Sequence, residues 1–583
     1  MYNQFLLNDF YKITHLLQYS DKITHLTSYL TPRGSRLKGE GIDKVVMFGL
    51  SGYIDDYVVK GFNDNFFNRS WDKIAAEVSE VLVKGLGYPG YMVDKTLEKL
   101  KELHALGYLP VEINAVLEGT FVPMGVPCVE IRSTDSRFAW VGQSLEASMS
   151  AALWHPMVSA TIAAEYRKVA RKAFKETVDD TIDERTAMCD FSMRGQESNE
   201  SAVAASAAWL ASMWNSSTVM ARSYVKEHYR DGEEVTIGGL TSTEHSVMCT
   251  HACLDRGDET HTFEYLFDLY KDVSFAAVCD SYDFWNVLTN ILPKFKETID
   301  ERGKRGKFIG VRHDSADPVE AICGVPCYNR SELELKIIDM VRYEIRKDGK
   351  LLTDEYIRVI DDDDLTDVVY GFSKGEGLSK DEESYDPDGY VLMGYTKPEY
   401  KGMVETMWEM FGGTINSKGY KVLNPGIKAV YGDSITITRA KQIYERLKAR
   451  GFAANNVSLG VGSFSFQCLE SSNGKTLLPF TRDSFSIAIK CTYAKYIDDE
   501  GVECEQFVYK SPKNFNGKKS QKGLCSVFIE NNELAYKDNL YEHERSLDDD
   551  HFLVPYFRDG DCYHGAFNAI RDLISWQIVH NKK

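Results

Sequence analysis

Short apolar runs alternate with helix-like stretches in the middle of the chain. The candidate buried strands are residues 186–191, 235–240, 275–280, 307–312, 427–431 and 456–460, with a shorter run near 218–220. The candidate helices between them are residues 198–213, 284–301 and 438–450. Repetition of strand and helix is typical of a parallel sheet. The pattern predicts an α/β fold in which residues 186–483 form an irregular (β/α) barrel of about seven strands.

The two ends of the chain follow a different pattern. Residues 1–185 mix short apolar runs with helical segments, and the stretches 486–496 and 505–509 alternate like strands. We expect a second, smaller α+β domain built from residues 1–185 and completed by residues 484–583. A stretch at about 322–413 interrupts the barrel pattern with the acidic runs 361–364 and 375–389, and we interpret it as a solvated insertion with local flexibility.

Composition narrows the classes of partner. The 583 residues contain 68 Lys plus Arg and 87 Asp plus Glu, a net charge of −19. Without a basic block, this argues against nucleic acid, because phosphate-backbone binding needs clustered cations. No run approaches the roughly 18 apolar residues of a membrane span, and residues 1–12 have no basic leader. We expect a cytoplasmic protein that binds small molecules.

The twelve Cys residues are scattered, which favours reduced thiols over disulfides. On a helix, His245, Cys249 and Cys253 would share one face and could bind a metal. The spacing is not a zinc signature, and buried free thiols are the alternative. We therefore assign no metal ligands.

Polar residues follow the predicted strands at consistent places. They are Asp190 and Arg194, Glu244 and His245, Asp280, Arg312 and Asp314, Gly432 and Asp433, and Gly460 and Gly462. In (β/α) barrels the loops at the carboxyl ends of the strands converge on one face, where ligands bind. The sequence therefore predicts an active site at this end of the barrel.

Asp280, Arg312 and Asp314 fit a sugar phosphate, because carboxylates accept hydrogen bonds from ribose hydroxyls and a guanidinium binds phosphate oxygens in a fork. The alternative is a structural salt bridge at the barrel rim. Gly432-Asp433 and Gly460-Val461-Gly462-Ser463 would let backbone amides approach a terminal phosphate, although neither segment matches a nucleotide-binding fingerprint.

Three further features each have a functional and a structural interpretation. His245 could accept a phosphate or form a structural pair with a carboxylate, and Phe191 could stack on a planar ring or belong to the core. The basic tail could steer an anionic substrate or form a solvated face. That tail consists of Arg482, Lys490, Lys510, Lys513, Lys518, Lys519 and Lys522.

Taken together, these motifs resemble those of the nicotinamide phosphoribosyltransferases, within the type II phosphoribosyltransferase group. The matching segments are Asn8-Asp9-Phe10-Tyr11-Lys12, Asp190-Phe191-Ser192-Met193-Arg194-Gly195, Ser242-Thr243-Glu244-His245-Ser246, Cys279-Asp280-Ser281-Tyr282-Asp283, Arg312-His313-Asp314-Ser315, Tyr431-Gly432-Asp433, Gly460-Val461-Gly462, Thr481-Arg482-Asp483 and Lys519-Ser520-Gln521-Lys522-Gly523.

The resemblance implies a homodimer with two active sites shared between subunits. The pyridine ring would stack between Phe191 and Tyr11 of the partner subunit, with Arg194 and Asp9 nearby. Asp280 and Asp314 would hold the ribose, and Arg312 would contact the ring amide or the phosphates. The residues implied for the 5′-phosphate are Gly432, Asp433, Gly462 and Ser463, and those for pyrophosphate and phosphate are Arg33, Arg482, Lys490, Lys510 and Lys522.

The implied reaction joins nicotinamide to phosphoribosyl pyrophosphate and gives nicotinamide mononucleotide and pyrophosphate in NAD biosynthesis or salvage. Mg²⁺ would accompany the donor pyrophosphate and stabilise the leaving group. His245 corresponds to the histidine that is phosphorylated when ATP hydrolysis is coupled to turnover, so ATP is a candidate activator.

Some positions depart from the family. Ser217 replaces a carboxylate that binds the nicotinamide amide, which leaves nicotinic acid open as the base. The altered glycine cluster at Ser463 and the insertion leave open a phage branch that uses ADP-ribose pyrophosphate and makes NAD directly; the protein would then act in the host cytoplasm. A non-catalytic nucleotide-binding interaction protein is the rival from another class.

Overall fold

The chain forms two compact units, each assembled from separate stretches of sequence. A computed structural model describes residues 3–254, 257–325, 327–328, 356–361, 366–371, 391–393, 398–471, 476–510, 521–547 and 551–580. Unit 1 comprises Met1–Lys168, Asp190–Gly238 and Ser463–Lys583, and unit 2 comprises Val169–Cys189 and Gly239–Gly462. The predicted acidic runs at 362–364 and 375–389 lie outside the described residues.

The strands of the described residues are numbered in chain order. They are β1 (Ile23–Pro32), β2 (Lys44–Val46), β3 (Val111–Ala115), β4 (Phe121–Pro123), β5 (Val129–Ser133), β6 (Met188–Asp190), β7 (Asn215–Ser216), β8 (Phe275–Val278), β9 (Ile309–His313), β10 (Cys327–Tyr328), β11 (Tyr356–Asp361), β12 (Thr366–Gly371), β13 (Val391–Met393), β14 (Gly413–Ile415), β15 (Lys421–Leu423), β16 (Ile427–Tyr431), β17 (Val457–Val461), β18 (Cys468–Glu470), β19 (Leu477–Pro479), β20 (Ile487–Ile497), β21 (Glu503–Phe507), β22 (Leu524–Glu530), β23 (Glu533–Leu540), β24 (Val554–Arg558) and β25 (Asp561–Cys562).

The α-helices are numbered in the same way. They are α1 (Phe10–Gln18), α2 (Leu50–Tyr53), α3 (Trp71–Glu80), α4 (Gly90–Leu106), α5 (Val141–Ser144), α6 (Glu146–Thr177), α7 (Asn199–Leu210), α8 (Val219–His228), α9 (His245–Leu254), α10 (Thr260–Leu269), α11 (Phe284–Asn286), α12 (Lys296–Lys304), α13 (Pro318–Cys323), α14 (Pro398–Lys401), α15 (Met403–Phe411), α16 (Ile437–Ala449), α17 (Phe464–Gln467), α18 (Glu542–Ser546) and α19 (Phe567–His580).

Unit 1 is built on an antiparallel sheet with the strand order β21-β20-β1-β5-β3-β24-β25. Its longest pairing joins β1 to β20, with Tyr29 opposite Lys490 and Pro32 opposite Ile487. N- and C-terminal strands therefore share one sheet, as the alternation at both ends of the chain predicts. This confirms an α+β unit that combines both terminal segments, and the unit also contains the internal segment Asp190–Gly238.

The parallel sheet has the strand order β7-β6-β17-β16-β9-β8, and its strands β8, β9, β16 and β17 lie in unit 2. All four residues of β8 are buried, and so are four of the five residues in each of β16 and β17. Near-continuous burial is expected for parallel strands that are covered on both faces. The α/β class is confirmed, and six strands form a half-barrel.

Three sequence-based assignments need correction. Residues 235–240 form no strand, because Gly238 and Gly239 supply no side chains to pack; single parallel bridges join Gly238 to Asn215 and Ser242 to Ala276 instead. The run near 218–220 begins helix α8. Part of the stretch 322–413 is ordered, since β10 to β13 form a sheet and α15 buries Met403 and Met407.

Within the described part of the chain, no helix combines the length and the apolar character needed to cross a membrane.

Candidate active site

The carboxyl ends of β8 and β9 bring together three predicted site residues of unit 2. Arg312 is the fourth residue of β9, and its guanidinium grips the carboxylate of Asp314 through two N–H groups, with Nε 2.9 Å from Oδ1. The remaining nitrogen, Nη1, donates to the carbonyl of Thr243 at 3.3 Å. This fork holds both side chains in one plane at the end of the strand.

Asp280 follows β8, and its side chain is only 4% exposed. Its Oδ2 accepts hydrogen bonds from the amide of Asp314 at 2.9 Å and from the hydroxyl of Ser315 at 2.6 Å, and Nε2 of His245 lies 3.3 Å from its Oδ1. Burial opposes ionisation, but the hydrogen bonds from Ser315 and from the amide of Asp314 lower the pKa of Asp280 below its ordinary value. Asp280 is therefore held as an anion.

Two residues that the sequence analysis did not select support this loop. The ring of His313 packs 4.0 Å from that of Phe284 and 5.7 Å from that of Tyr431, and its Nδ1 accepts a hydrogen bond from the amide of Ser315. The hydroxyl of Tyr431 donates to the carbonyls of Ser315 and Ala316. Burial lowers the pKa of His313, which keeps the ring neutral. Their position inside the Arg312 and Gly432 motifs was the available signal.

Gly432, at the end of β16, is packed against the same pair of side chains. A Cβ at this position would lie 2.6 Å from Oδ1 of Asp314 and 3.0 Å from Nε of Arg312. Asp433 is exposed and accepts a hydrogen bond from Ser434, and Gly462 has open space where a Cβ would be. Glycine is thus required at Gly432 by the close approach of Asp314, whereas Gly462 has no such contact.

In unit 1, Ser217 lies beside the end of β6. Its amide and its hydroxyl both donate to the carbonyl of Asp190, each at 2.9 Å. The buried carboxylate of Asp190 accepts from the amide of Ser192 and the hydroxyl of Ser216, so it is a structural acceptor. Phe191 follows directly and is half-buried. Ser217 is therefore hydrogen-bonded to the residue that precedes Phe191.

Arg194 and Ser463 also lie in unit 1. Arg194 is exposed, and the following Gly195 packs so closely on Ser463 that a Cβ would overlap the hydroxyl. Gln467 donates to the carbonyl of Gly195. These contacts fix the backbone that carries Arg194.

The predicted ring-stacking residue Tyr11 is on helix α1, which begins after Asp9. Tyr11 is 58% exposed, and its ring centroid lies 5.5 Å from that of His15. Asp9 is exposed and its side chain does not cap the helix. Lys12 points inward and pairs with Glu146. Asp9 and Tyr11 are therefore both exposed at the start of α1.

Three predicted anion-binding cations of unit 1 have acidic or carbonyl contacts. Nζ of Lys490 lies 3.5 Å from Glu146, Arg482 contacts Asp483 at 3.0 Å, and Nε of Arg33 donates to the carbonyl of Ser486 at 3.4 Å. These are long or exposed contacts, which contribute little stability.

Lys510 is exposed, and Nζ of Lys522 lies 5.0 Å from the centroid of the Tyr509 ring. Lys513, Lys518, Lys519 and Ser520 lie outside the described residues.

Comparison with known proteins identifies the family of the chain. The model of the nicotinate phosphoribosyltransferase (NAPRTase) family matches residues 186–542, and that of the nicotinamide phosphoribosyltransferase N-terminal domain matches residues 3–100. The chain is 29% identical over 579 residues to a protein of Acinetobacter baylyi named nicotinamide phosphoribosyltransferase, covering 98% of this chain and 96% of the relative. A Mycoplasma pneumoniae protein of the same name is 26% identical over 481 residues, or 79% and 85% of the two chains.

A crystal structure of human nicotinic acid phosphoribosyltransferase aligns with 98% of this chain and 93% of its own, with a TM-score of 0.48 and 14% identity. The family model covers more than half of the chain. The chain belongs to the nicotinate phosphoribosyltransferase family and is a phosphoribosyltransferase.

Proposed function

We propose that this enzyme transfers the phosphoribosyl group of phosphoribosyl pyrophosphate to nicotinamide, giving nicotinamide mononucleotide and pyrophosphate in NAD biosynthesis or salvage. The family membership and the names of the relatives support this reaction. The observation that carries it is the fixed set of Asp280, Arg312 and Asp314 at the ends of adjacent parallel strands. The comparisons do not favour transfer of ADP-ribose.

The carboxylates suit the charge that develops at the sugar. As the bond from C1′ to pyrophosphate breaks, positive charge appears on the ribose, and preorganised anions stabilise it without reorganising. Asp280 is kept ionised by Ser315 and the amide of Asp314, and the Arg312 fork fixes the direction of the Asp314 carboxylate. Both groups are then positioned to accept hydrogen bonds from ribose hydroxyls.

Mg²⁺ is the metal that this chemistry calls for, because it takes oxygen ligands and substrate phosphates. Oδ1 of Asp280 is buried and accepts no hydrogen bond within the described residues, although Nε2 of His245 lies 3.3 Å from it. It therefore offers a carboxylate oxygen close to Asp314. Asp280 and Asp314 would supply the protein ligands. Bound with the donor, Mg²⁺ neutralises the charge of the leaving pyrophosphate.

We further propose that His245 accepts a phosphoryl group from ATP. The His245 ring is half exposed, and Oδ1 of Asp280 lies 3.3 Å from its Nε2. This contact can orient the imidazole for attack on ATP. Acid-labile labelling of the wild type by γ-labelled ATP, absent from the His245→Asn variant, would support phosphorylation of His245.

We also propose a cytoplasmic homodimer in which each active site is shared between the subunits. The exposed ring of Tyr11 would provide the surface that stacks on the base in the partner's site.

Subunit mixing tests the shared site. Tyr11→Ala and Asp314→Ala should each be nearly inactive as pure proteins, because one removes ring stacking and the other a sugar contact. Refolded together, they should regain activity, since mixed dimers contain one intact site. Two inactive parents whose mixture stays inactive while light scattering shows dimers would rule the arrangement out.

The reaction itself is tested with each pair of base and donor: nicotinamide or nicotinic acid, with phosphoribosyl pyrophosphate or ADP-ribose pyrophosphate. Products are separated by chromatography in the presence and absence of Mg²⁺, with Asp314→Ala as the inactive control. We expect nicotinamide mononucleotide from the first base and the first donor. Absence of any pyridine nucleotide from all four pairs would refute the proposal.

A further inference from the structure

Three metal-binding side chains from distant parts of the sequence meet in unit 1. Asp55 lies in the π-helical turn Ile54–Lys60, Cys562 ends β25, and His564 follows two residues later. A carboxylate oxygen, the Sγ atom and a ring nitrogen of these residues all lie within 4.8 Å of one another. None of the three is among the residues predicted for phosphoribosyl transfer.

The separations suit a single small cation. Ligands at about 2.0 to 2.3 Å from a tetrahedral zinc ion lie roughly 3.3 to 3.7 Å from each other. Nε2 of His564 is 3.4 Å from Oδ1 of Asp55, which is the spacing of two such ligands before any movement. All three residues are half-buried, so one side of the group faces water.

His228, the last residue of α8, fixes the orientation of Asp55. Its Nδ1 is 2.8 Å from Oδ2 of Asp55, and its Nε2 is 3.4 Å from Oδ2 of Asp56. The His228 side chain is only 6% exposed, and the ring of Tyr224 packs edge-on against it at 4.4 Å. Because His228 occupies Oδ2, the other oxygen of Asp55 is directed at His564. Metal ligands in proteins are oriented by partners of this kind.

The donor set selects the metal. A thiol, an imidazole and a carboxylate together suit Zn²⁺, whereas Mg²⁺ and Ca²⁺ prefer oxygen ligands alone. A simple ion-pair network would account for His228, His564, Asp55 and Asp56, but it gives no role to the sulfur of Cys562. We propose that Asp55, Cys562 and His564 bind a Zn²⁺ ion, with water as the fourth ligand. The ion would link the turn Ile54–Lys60 to the C-terminal segment.

Cobalt reports directly on this site. The full-length protein, stripped of metal with a chelator, is titrated with Co²⁺ and separately with Zn²⁺ against a chromogenic chelator. We expect one equivalent of tightly bound metal, tetrahedral cobalt absorption and a sulfur-to-cobalt charge-transfer band. The Zn²⁺-loaded protein should also unfold at a higher temperature than the stripped protein, since the ion binds only the folded chain.

Two variants and a matched control test whether Cys562 supplies the sulfur ligand. Cys562→Ser and His564→Ala should each weaken Zn²⁺ binding at least tenfold, and Cys562→Ser should abolish the charge-transfer band. Cys504→Ser is the control, because Cys504 is also half-buried on a strand of unit 1, with Sγ 3.7 Å from Asp498, and should keep the band.

The cobalt spectrum of the wild-type protein already tests for metal binding, so a variant that fails to fold cannot obscure the result. Failure to bind Zn²⁺, cobalt without a thiolate band, or a band that persists in Cys562→Ser would each overturn the proposal. A charge-transfer band that persists in Cys562→Ser would mean that another thiolate binds the metal, for example that of Cys249 or Cys253 of α9.

Discussion

The backbone amide of Asp314 donates a 2.9 Å hydrogen bond to Oδ2 of Asp280. The two carboxylates are therefore coupled through the backbone at the ends of neighbouring strands, although they lie 34 positions apart in the sequence. Each has a distinct partner, since Arg312 grips Asp314 and Ser315 donates to Asp280. Two anions can be held close together here because each is separately stabilised.

Replacing Asp314 by Ala should lower kcat/KM on the order of a hundredfold, because a preorganised anion is lost and Arg312 loses the carboxylate that its guanidinium binds. Steady-state kinetics with circular dichroism would separate this effect from unfolding. Asp317→Asn is the matched control: Asp317 caps α13 through its side chain, and Asn caps a helix as well as Asp does. Equal activities of the two variants would contradict a sugar-binding role for Asp314.

Gly432→Ala should also impair the enzyme, because the new Cβ would lie 2.6 Å from Oδ1 of Asp314. Either the carboxylate or the loop must move, so we expect at least a tenfold loss of kcat/KM and destabilisation of about 1 to 3 kcal/mol. Gly90→Ala is the control, since a Cβ there meets no atom within 4 Å and the residue begins helix α4. A Gly432→Ala enzyme with wild-type kinetics would show that the Asp314 geometry is not critical.

Ser217→Asp should change the choice of base. Ser217 is exposed and is hydrogen-bonded to Asp190, the residue before Phe191. If Phe191 stacks on the base, a carboxylate at 217 would repel the charge of nicotinic acid. We expect the preference for nicotinamide over nicotinic acid to rise about tenfold, or about 1.4 kcal/mol. Ser217→Asn adds similar bulk without charge and should leave the ratio near that of the wild type. The same ratio in both variants would mean that residue 217 does not face the base.

The sequence was sufficient for the features that depend on local pattern. Apolar runs marked β8, β9 and β16, and the rule that ligands gather at strand ends selected Asp280, Arg312 and Gly432, which the structure places at adjacent strands. Contacts between segments that are distant in the sequence could not be predicted from the local hydrophobic pattern. The support of the loop by His313 and Tyr431 depends on ring packing across strands.

At residues 235–240, by contrast, the local pattern predicted a strand that the structure does not contain. They have the apolar character of a strand, but consecutive glycines leave only isolated bridges. The meeting of Asp55 with Cys562 joins segments about 500 residues apart, and no spacing rule could reveal it.

Glu259 should make the stability of the protein depend on pH. Its side chain is buried, and Oε1 has no hydrogen bond within the described residues. Burial, with the nearby charges of Asp283 and Asp258, raises the pKa of Glu259 to about 7. Between the ordinary value of 4.5 and 7, the folded protein therefore binds more protons than the unfolded chain, and the free energy of unfolding must fall as the pH rises through this window.

The slope is at most about 1.4 kcal/mol per pH unit for one group. Urea denaturation at several pH values between 4.5 and 8 would measure it. Glu259→Gln cannot ionise, so this part of the slope should vanish and the variant should gain stability relative to the wild type above pH 7. Glu264→Gln, on the exposed face of α10, should keep the wild-type slope. If Glu259→Gln and the wild type lose stability in parallel as the pH rises, Glu259 is already ionised in the folded protein and its burial is compensated by another group.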